Sequence, residues 1–175
     1  MKIAKVFDWE MGHRLPFHKG KCKNLHGHSY KLRLEIEGEP DEQGMLIDFY
    51  DLKKIVNPII ENLDHAFMVY REDKALIDAL DKLNSKTVVV DFHSTAENIC
   101  NYFVDEIKKI SLPGNIRKIT ARIYETEDSY AEINYELGIR NEGAECSKRE
   151  KLSIRNSDCK TLSISKRRKE GIHTF

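Results

Sequence analysis

His26-Gly27-His28-Ser29-Tyr30-Lys31-Leu32-Arg33-Leu34-Glu35-Ile36-Glu37 is the stretch whose reading decides the fold. From Ser29 onward apolar and polar residues alternate: Tyr30, Leu32, Leu34 and Ile36 fall on one face, Lys31, Arg33, Glu35 and Glu37 on the other. One face buried and one wet or paired is the signature of an antiparallel sheet. Side chains two apart in a strand share a face, so His26 and His28 can both turn an imidazole toward one ion. Gly27 between them lets the backbone come close.

Upstream, Lys2 to Trp9 reads as a first strand, and His13 near its end is a candidate third nitrogen. Three neutral imidazoles that leave a fourth position open form the arrangement of a catalytic zinc, where water or a substrate oxygen completes the tetrahedron. Two other readings stand beside it: a loop with incidental histidines, and a closed structural site of three histidines and Cys22. The connection from Arg14 to Leu25 is long for a hairpin and carries His18, Lys19, Lys21, Cys22 and Lys23. Loops of that length tend to be functional. Lys19, Lys21 and Lys23 are candidates for phosphate contact, although a solvated basic loop explains them equally well.

Downstream, Gly38 to Gly44 is a polar turn, and Asp48 is positioned to cap a helix. Leu52, Ile55, Val56, Ile59, Ile60 and Leu63 supply its apolar stripe, and Pro58 inside the stripe predicts a kink or a break. Leu63-Asp64-His65 ends the element. A shorter helix over Lys74 to Leu83 and a strand over Thr87 to Phe92 follow. Ser94-Thr95-Ala96-Glu97 matches a capping box, so a second long helix starts there, with Ala96, Ile99, Cys100, Phe103, Ile107 and Ile110 on its apolar side. Lys118 to Glu125 and Ser129 to Leu137 read as a final hairpin. Strand, strand, helix, helix, strand, strand makes an α+β fold, a four-stranded antiparallel sheet with two main helices on one face.

The chain of 175 residues is long enough for one domain, and 29 basic against 29 acidic residues exclude a strongly charged binding protein. Residues 1–137 carry the periodic pattern. From Gly138 onward it stops, and the remainder, 138–175, reads as a basic, polar, poorly ordered tail. Its Lys166-Arg167-Arg168-Lys169 patch is too short to be a specific nucleic-acid signal, and no nucleic-acid partner is expected. No apolar run approaches a membrane span and the chain begins directly on a strand-like segment, so the expected location is the cytoplasm. Cys22, Cys100, Cys146 and Cys159 are expected as reduced thiols.

These residues carry a resemblance. His13, Cys22 followed by His26-Gly27-His28-Ser29-Tyr30, Gly44-Met45-Leu46-Ile47-Asp48-Phe49, Leu63-Asp64-His65, Thr95-Ala96-Glu97-Asn98 and Tyr124-Glu125-Thr126 occur in the order seen in the 6-pyruvoyl-tetrahydropterin synthase and QueD family. The chain resembles that family over residues 1–137 and not in the tail. Trp9, Met11 and Gly12 depart from the small residues usual before the first histidine, and Ser94 stands where proline is common.

The resemblance implies the tunnelling fold, with an oligomeric barrel, two trimeric rings stacked into a homohexamer, and active sites between subunits. It implies Zn2+ on His13, His26 and His28, Cys22 as a general base or acid, and Asp64 with His65 as a second proton-transfer pair. Glu125 resembles the anchor of the pterin ring, and Thr95 and Glu97 match positions near the pterin pocket. The implied substrate is 7,8-dihydroneopterin triphosphate. Three residues between Cys22 and His26 resemble the QueD-type spacing, which implies 6-carboxy-5,6,7,8-tetrahydropterin, acetaldehyde and triphosphate as products, on the route to queuosine. The same groups also support triphosphate elimination to the 6-pyruvoyl product. A non-catalytic, zinc-stabilised binding module is the alternative of another class.

Overall fold

The structure, a computed structural model, describes residues 1–138. The remainder of the basic tail, with Cys146 and Cys159, lies outside the described residues. The alternating stretch is a strand, and it runs beyond the pattern at both ends: β1 covers Lys2–His13 and β2 covers His26–Gly38. Pairing explains the extra length. The two strands are joined antiparallel from Lys2↔Glu37 to His13↔His26, so backbone groups of residues with little strand preference, Gly12 and Gly27 among them, are satisfied by the ladder.

The remaining elements are α1 (Phe49–Leu63), β3 (Ala66–Tyr70), α2 (Lys74–Lys82), β4 (Thr87–Val90), α3 (Ala96–Lys108), β5 (Ile116–Tyr124) and β6 (Tyr130–Glu136). The sheet has six strands in the order β4-β3-β1-β2-β5-β6, which corrects the expected four. β1, β2, β5 and β6 form the expected antiparallel block, while β3 pairs parallel with β1, and β4 parallel with β3. The sequence pattern misses β3 because Ala66-Phe67-Met68-Val69-Tyr70 does not alternate. Met68 packs into the main core and its neighbour Val69 into a second cluster with Leu76 and Leu80, so both faces of the strand are covered by apolar side chains.

The main core lies between one sheet face and two helices. Phe7, Trp9 and Met11 from β1, Tyr30, Leu32, Leu34 and Ile36 from β2, and Ile119, Ala121 and Ile123 from β5 meet Leu52, Val56 and Leu63 of α1 and Ile99, Phe103 and Ile107 of α3. Thus α1 and α3 share a face, as the pattern predicts. The third helix, α2, covers the opposite face at β3, through Val69, Leu76 and Leu80. Among the described residues no helix is long and apolar enough to cross a membrane.

Two helix details differ from the pattern. α1 passes through Pro58 without a break, capped by Asp48, whose carboxylate accepts from the Tyr50 N–H at 2.6 Å. Pro58 sits on the exposed side, and burial of five apolar residues on the other side offsets the backbone bond it removes. α3 starts one residue later than the capping box predicts. Thr95 is the cap and its hydroxyl accepts from the Asn98 N–H at 3.4 Å, so Glu97 occupies the second helical position and is exposed. Ser94 is instead buried, with its carbonyl committed to His13.

The loop after β1 is tied to α2 by a partly buried ion pair. Arg14 Nε donates to Asp73 Oδ2 at 2.6 Å and a second guanidinium nitrogen reaches Oδ1, while Asp73 also caps α2. The Asp73 side chain is 7% exposed, and the guanidinium holds its carboxyl below the usual carboxylate range. A depressed folded value means that the pair stabilises the fold above the unfolded aspartate value of about 3.9 and fades as pH falls through the lower folded one. Asp73→Asn is expected to cost about 1.5–3 kcal/mol at neutral pH. In urea unfolding series, the gap between the two proteins should close as pH drops below about 4.

Candidate active site

The β1–β2 register builds the first part of the site. His13 and His26 are directly opposed as the last pair of the ladder, and His28 lies two residues along β2 on the same face. Their ring centroids are 4.5, 5.0 and 5.3 Å apart, and one ligand atom from each ring lies within 4.8 Å of the others.

The hydrogen bonds determine which nitrogens are offered. His13 Nδ1 lies 2.8 Å from the Ser94 carbonyl and His26 Nδ1 lies 2.9 Å from the Asn24 carbonyl. A carbonyl only accepts, so both Nδ1 atoms carry the proton and each Nε2 presents a lone pair that an ion can take. A backbone carbonyl behind each ring is the usual outer support of a metal-bound histidine. Burial, reinforced by the charges of His26 and His28 and opposed by the bond to Ser94, lowers His13 to about 4. The ring is therefore neutral at physiological pH, as a ligand must be. The donor set fits a metal ion.

Cys22 lies outside this group of ligand atoms. It sits partly buried on the single turn Lys21–Lys23 as a free thiol, and its carbonyl accepts from the Leu15 N–H at 2.8 Å. The geometry therefore does not form the closed site of three histidines and one cysteine. Lys19, Lys21 and Lys23 are exposed on the same loop.

Tyr30, part of the alternating strand and of the family motif but given no site role by the sequence, connects the histidines to the other candidates. It is fully buried, stacked on Trp9 at 5.3 Å, with its hydroxyl 3.4 Å from His13 Nε2 and 3.3 Å from Glu125 Oε1. Burial first, then the charge of Glu125 and the hydrogen bond to it, and lastly the charge of Cys22 raise its pKa well above the ordinary tyrosine value. Glu125 follows directly on β5, at the rim of a hollow of about 770 Å³ whose walls include His28, Lys31, Arg33 and Tyr124.

Asp64 and His65 form a pair at the end of α1. Asp64 Oδ2 is 2.9 Å from His65 Nδ1, and Asp64 Oδ1 accepts from the Glu10 N–H at 3.0 Å. The Glu10 bond, and then the bond from His65, hold the Asp64 carboxyl below its usual range. His65 adopts φ 55°, a left-handed conformation uncommon for any residue but glycine, and its N–H donates to the Glu10 carbonyl at 2.7 Å. His65 and His28 line one hollow of about 270 Å³, which also exposes Gly12 and Gly27. Phe67 lies so close over Gly12 that a Cβ there would meet its ring at 2.5 Å, which explains why glycine precedes His13. Thr95 caps α3 one residue beyond the carbonyl that holds His13, and Glu97 is exposed on the first turn. A separate groove of about 690 Å³ between β4 and α3 contains no member of this set.

Tyr30, Ser94, Asn24 and Glu10 were not legible as site residues. Ser94, Asn24 and Glu10 act through backbone atoms, which no side-chain motif records. Tyr30 is part of the alternation, and its ring is core while its hydroxyl is not.

Residues 2–136 match the family model described as 6-pyruvoyl tetrahydropterin synthase. The chain belongs to that family. Among its family relatives, a 6-carboxy-5,6,7,8-tetrahydropterin synthase of Haemophilus influenzae is 40% identical over 139 residues, covering 75% of this chain and 96% of the relative. The protein of the same name from Aquifex aeolicus is 33% identical over 159 residues, covering 77% and 98%. The solved 6-pyruvoyl tetrahydropterin synthase of Plasmodium vivax shares the fold, with a TM-score of 0.62 at 20% identity over 78% of this chain and 99% of that one.

For this member of the 6-pyruvoyl tetrahydropterin synthase family, the three-histidine group makes a direct prediction. Metal-free protein titrated with Co2+ should develop tetrahedral d–d absorption bands that saturate at one ion per chain. Replacing His28 with Ala should weaken that binding by at least about 100-fold while the far-UV circular dichroism is retained, because removing an inner ligand costs no less than the 10- to 100-fold seen for outer supports.

Proposed function

We propose that the chain is a zinc-dependent carbon–carbon lyase that converts 7,8-dihydroneopterin triphosphate to 6-carboxy-5,6,7,8-tetrahydropterin, acetaldehyde and triphosphate, on the route to queuosine and related 7-deazaguanine nucleosides. The observation that carries this reading is the meeting of the three-histidine group and Glu125 at one buried hydroxyl, that of Tyr30. A metal-ligand set beside a carboxylate that can read a pterin ring is what this reaction needs. The names of the relatives from Haemophilus and Aquifex point the same way.

In this reading His13, His26 and His28 hold Zn2+, which when bound supplies a Lewis acid for the hydroxyl-bearing side chain of the pterin. Glu125 accepts hydrogen bonds from the 2-amino and N3 donors of the ring and so sets its orientation. Cys22 takes or returns a proton at the pterin side chain, as a base or an acid. Asp64 holds the His65 Nδ1–H, at 2.9 Å, so His65 Nε2 is the atom free to move a second proton. Thr95 and Glu97 belong to the pocket wall near the start of α3; the capping bond uses a lone pair of Thr95 and leaves its proton to a ligand.

The proposal includes a cytoplasmic homohexamer of two stacked trimers with the active site between subunits, and no membrane or nucleic-acid partner. Two observations support the assembly. The His65 side chain is 76% exposed in the single chain, and among the described residues β4 and β6 end the sheet with no further strand paired to them. Closing such edges by barrel formation removes unpaired backbone groups. The position of Cys22 outside the ligand group weighs against the non-catalytic zinc module, which needs that thiol on the metal.

Zinc-loaded protein incubated with 7,8-dihydroneopterin triphosphate should yield the 6-carboxy product and acetaldehyde by mass spectrometry. The 6-pyruvoyl product instead would retain the site assignments and change the reaction, and no turnover would remove the lyase reading. Cys22→Ala should keep one zinc per chain and the same melting temperature while turnover falls about 10²- to 10⁴-fold.

A further inference from the structure

The Tyr30 hydroxyl has one proton and two acceptors. His13 Nε2 is unprotonated, because Nδ1 donates to Ser94, and lies 3.4 Å away; Glu125 Oε1 lies 3.3 Å away. Both distances are long for a hydrogen bond from a hydroxyl, as expected of a proton shared between competing acceptors. The phenol cannot move to favour one of them. Its ring is fully buried and lies flat on Trp9, with an interplanar angle of 13°, and Trp9 is packed in turn on Phe103.

A metal on the histidines uses the Nε2 lone pair of His13. Once that acceptor is taken, Glu125 is the one left to the hydroxyl among the described residues. We infer that Tyr30 is a positioning residue that couples metal loading to pterin recognition: metal on His13 directs the Tyr30 proton to Glu125 Oε1 and holds the carboxylate in one orientation, with Oε2 and the remaining lone pairs turned to the ring donors. The inference rests on the proposed pterin site and adds a linkage to it. Coupling of this kind is reciprocal, so the pterin tightens the metal by the factor by which the metal tightens the pterin.

The test uses full-length protein and unsubstituted pterin, which has the 2-amino and N3 donors and no hydroxyl-bearing side chain for the metal. Fluorescence titration of pterin into wild-type protein, without and with saturating Zn2+, should show zinc tightening binding by about 5-fold or more, within the usual range of such couplings. In Tyr30→Phe the ring and its stacking remain, zinc affinity by competition titration should stay within about 3-fold of wild type, and the zinc-dependent gain in pterin affinity should disappear. A gain that survives in Tyr30→Phe, or is absent in wild type that does bind pterin, overturns the coupling alone. Wild type that binds no pterin in either state overturns the pterin site and the coupling with it. A second readout needs no change at Tyr30: in protein labelled with 13Cζ-tyrosine, zinc should move one buried tyrosine signal, and Glu125→Gln should alter that movement. No zinc-dependent tyrosine shift overturns the inference.

Discussion

The pairing of β1 with β2 is the constraint on which the rest of the structure depends. Twelve consecutive residue pairs, from Lys2↔Glu37 to His13↔His26, hold one register. The side-chain period of a strand is two, so a slip of one residue would send Tyr30, Leu32, Leu34 and Ile36 to the wet face and bring Lys31, Arg33 and Glu35 against the helices. The same slip would separate His13 from His26. Core and three-histidine group are therefore specified by one ladder, and the burial of apolar residues along it holds the histidines opposite each other.

Support for that group comes from far along the chain. The Ser94 carbonyl that fixes His13 is 81 residues away in sequence, at the entry to α3, while Asn24 fixes His26 from two residues away. α3 packs its other end into the main core through Phe103 and Ile107. Helix packing thus reaches the imidazole by way of the loop that leads into the helix, and the delayed start of α3 leaves that carbonyl free of helical bonding.

Along the wet face of β2, Arg33 meets Glu35 and Lys2 bridges Glu35 and Glu37, so the charges there are largely compensated within the sheet. Lys31, in the same row, lines the hollow that contains Glu125 and His28. His65, with a left-handed backbone and an exposed ring, completes a surface whose polar groups face outward at the end of the strands. Strain and exposure of this kind persist where the surroundings determine the conformation, here the His65 N–H donated to the Glu10 carbonyl and the Glu10 N–H donated to the Asp64 carboxylate.

What the sequence determined by itself were the features with a local period or a local pair. Alternation marked β2, the 3.6-residue repeat marked α1 and α3, and the Asp48 cap and the Asp64–His65 dipeptide were legible because their partners lie within a few residues. The third histidine of the group, His13, was legible only as a candidate. β3 was missed because a strand covered on both faces has no alternation, and of the kink or break read from Pro58 the break does not occur, because the exposure of Pro58 on α1 is a property of the packed helix. The tertiary structure alone decided the parallel pairing of β3 and β4, the side of the sheet that α2 covers, the exclusion of Cys22 from the ligand group and the meeting of His13 with Glu125 at Tyr30. Each of those depends on contacts between segments distant in the chain. Local propensity says nothing of such contacts; burial and hydrogen-bond satisfaction in the assembled fold select them.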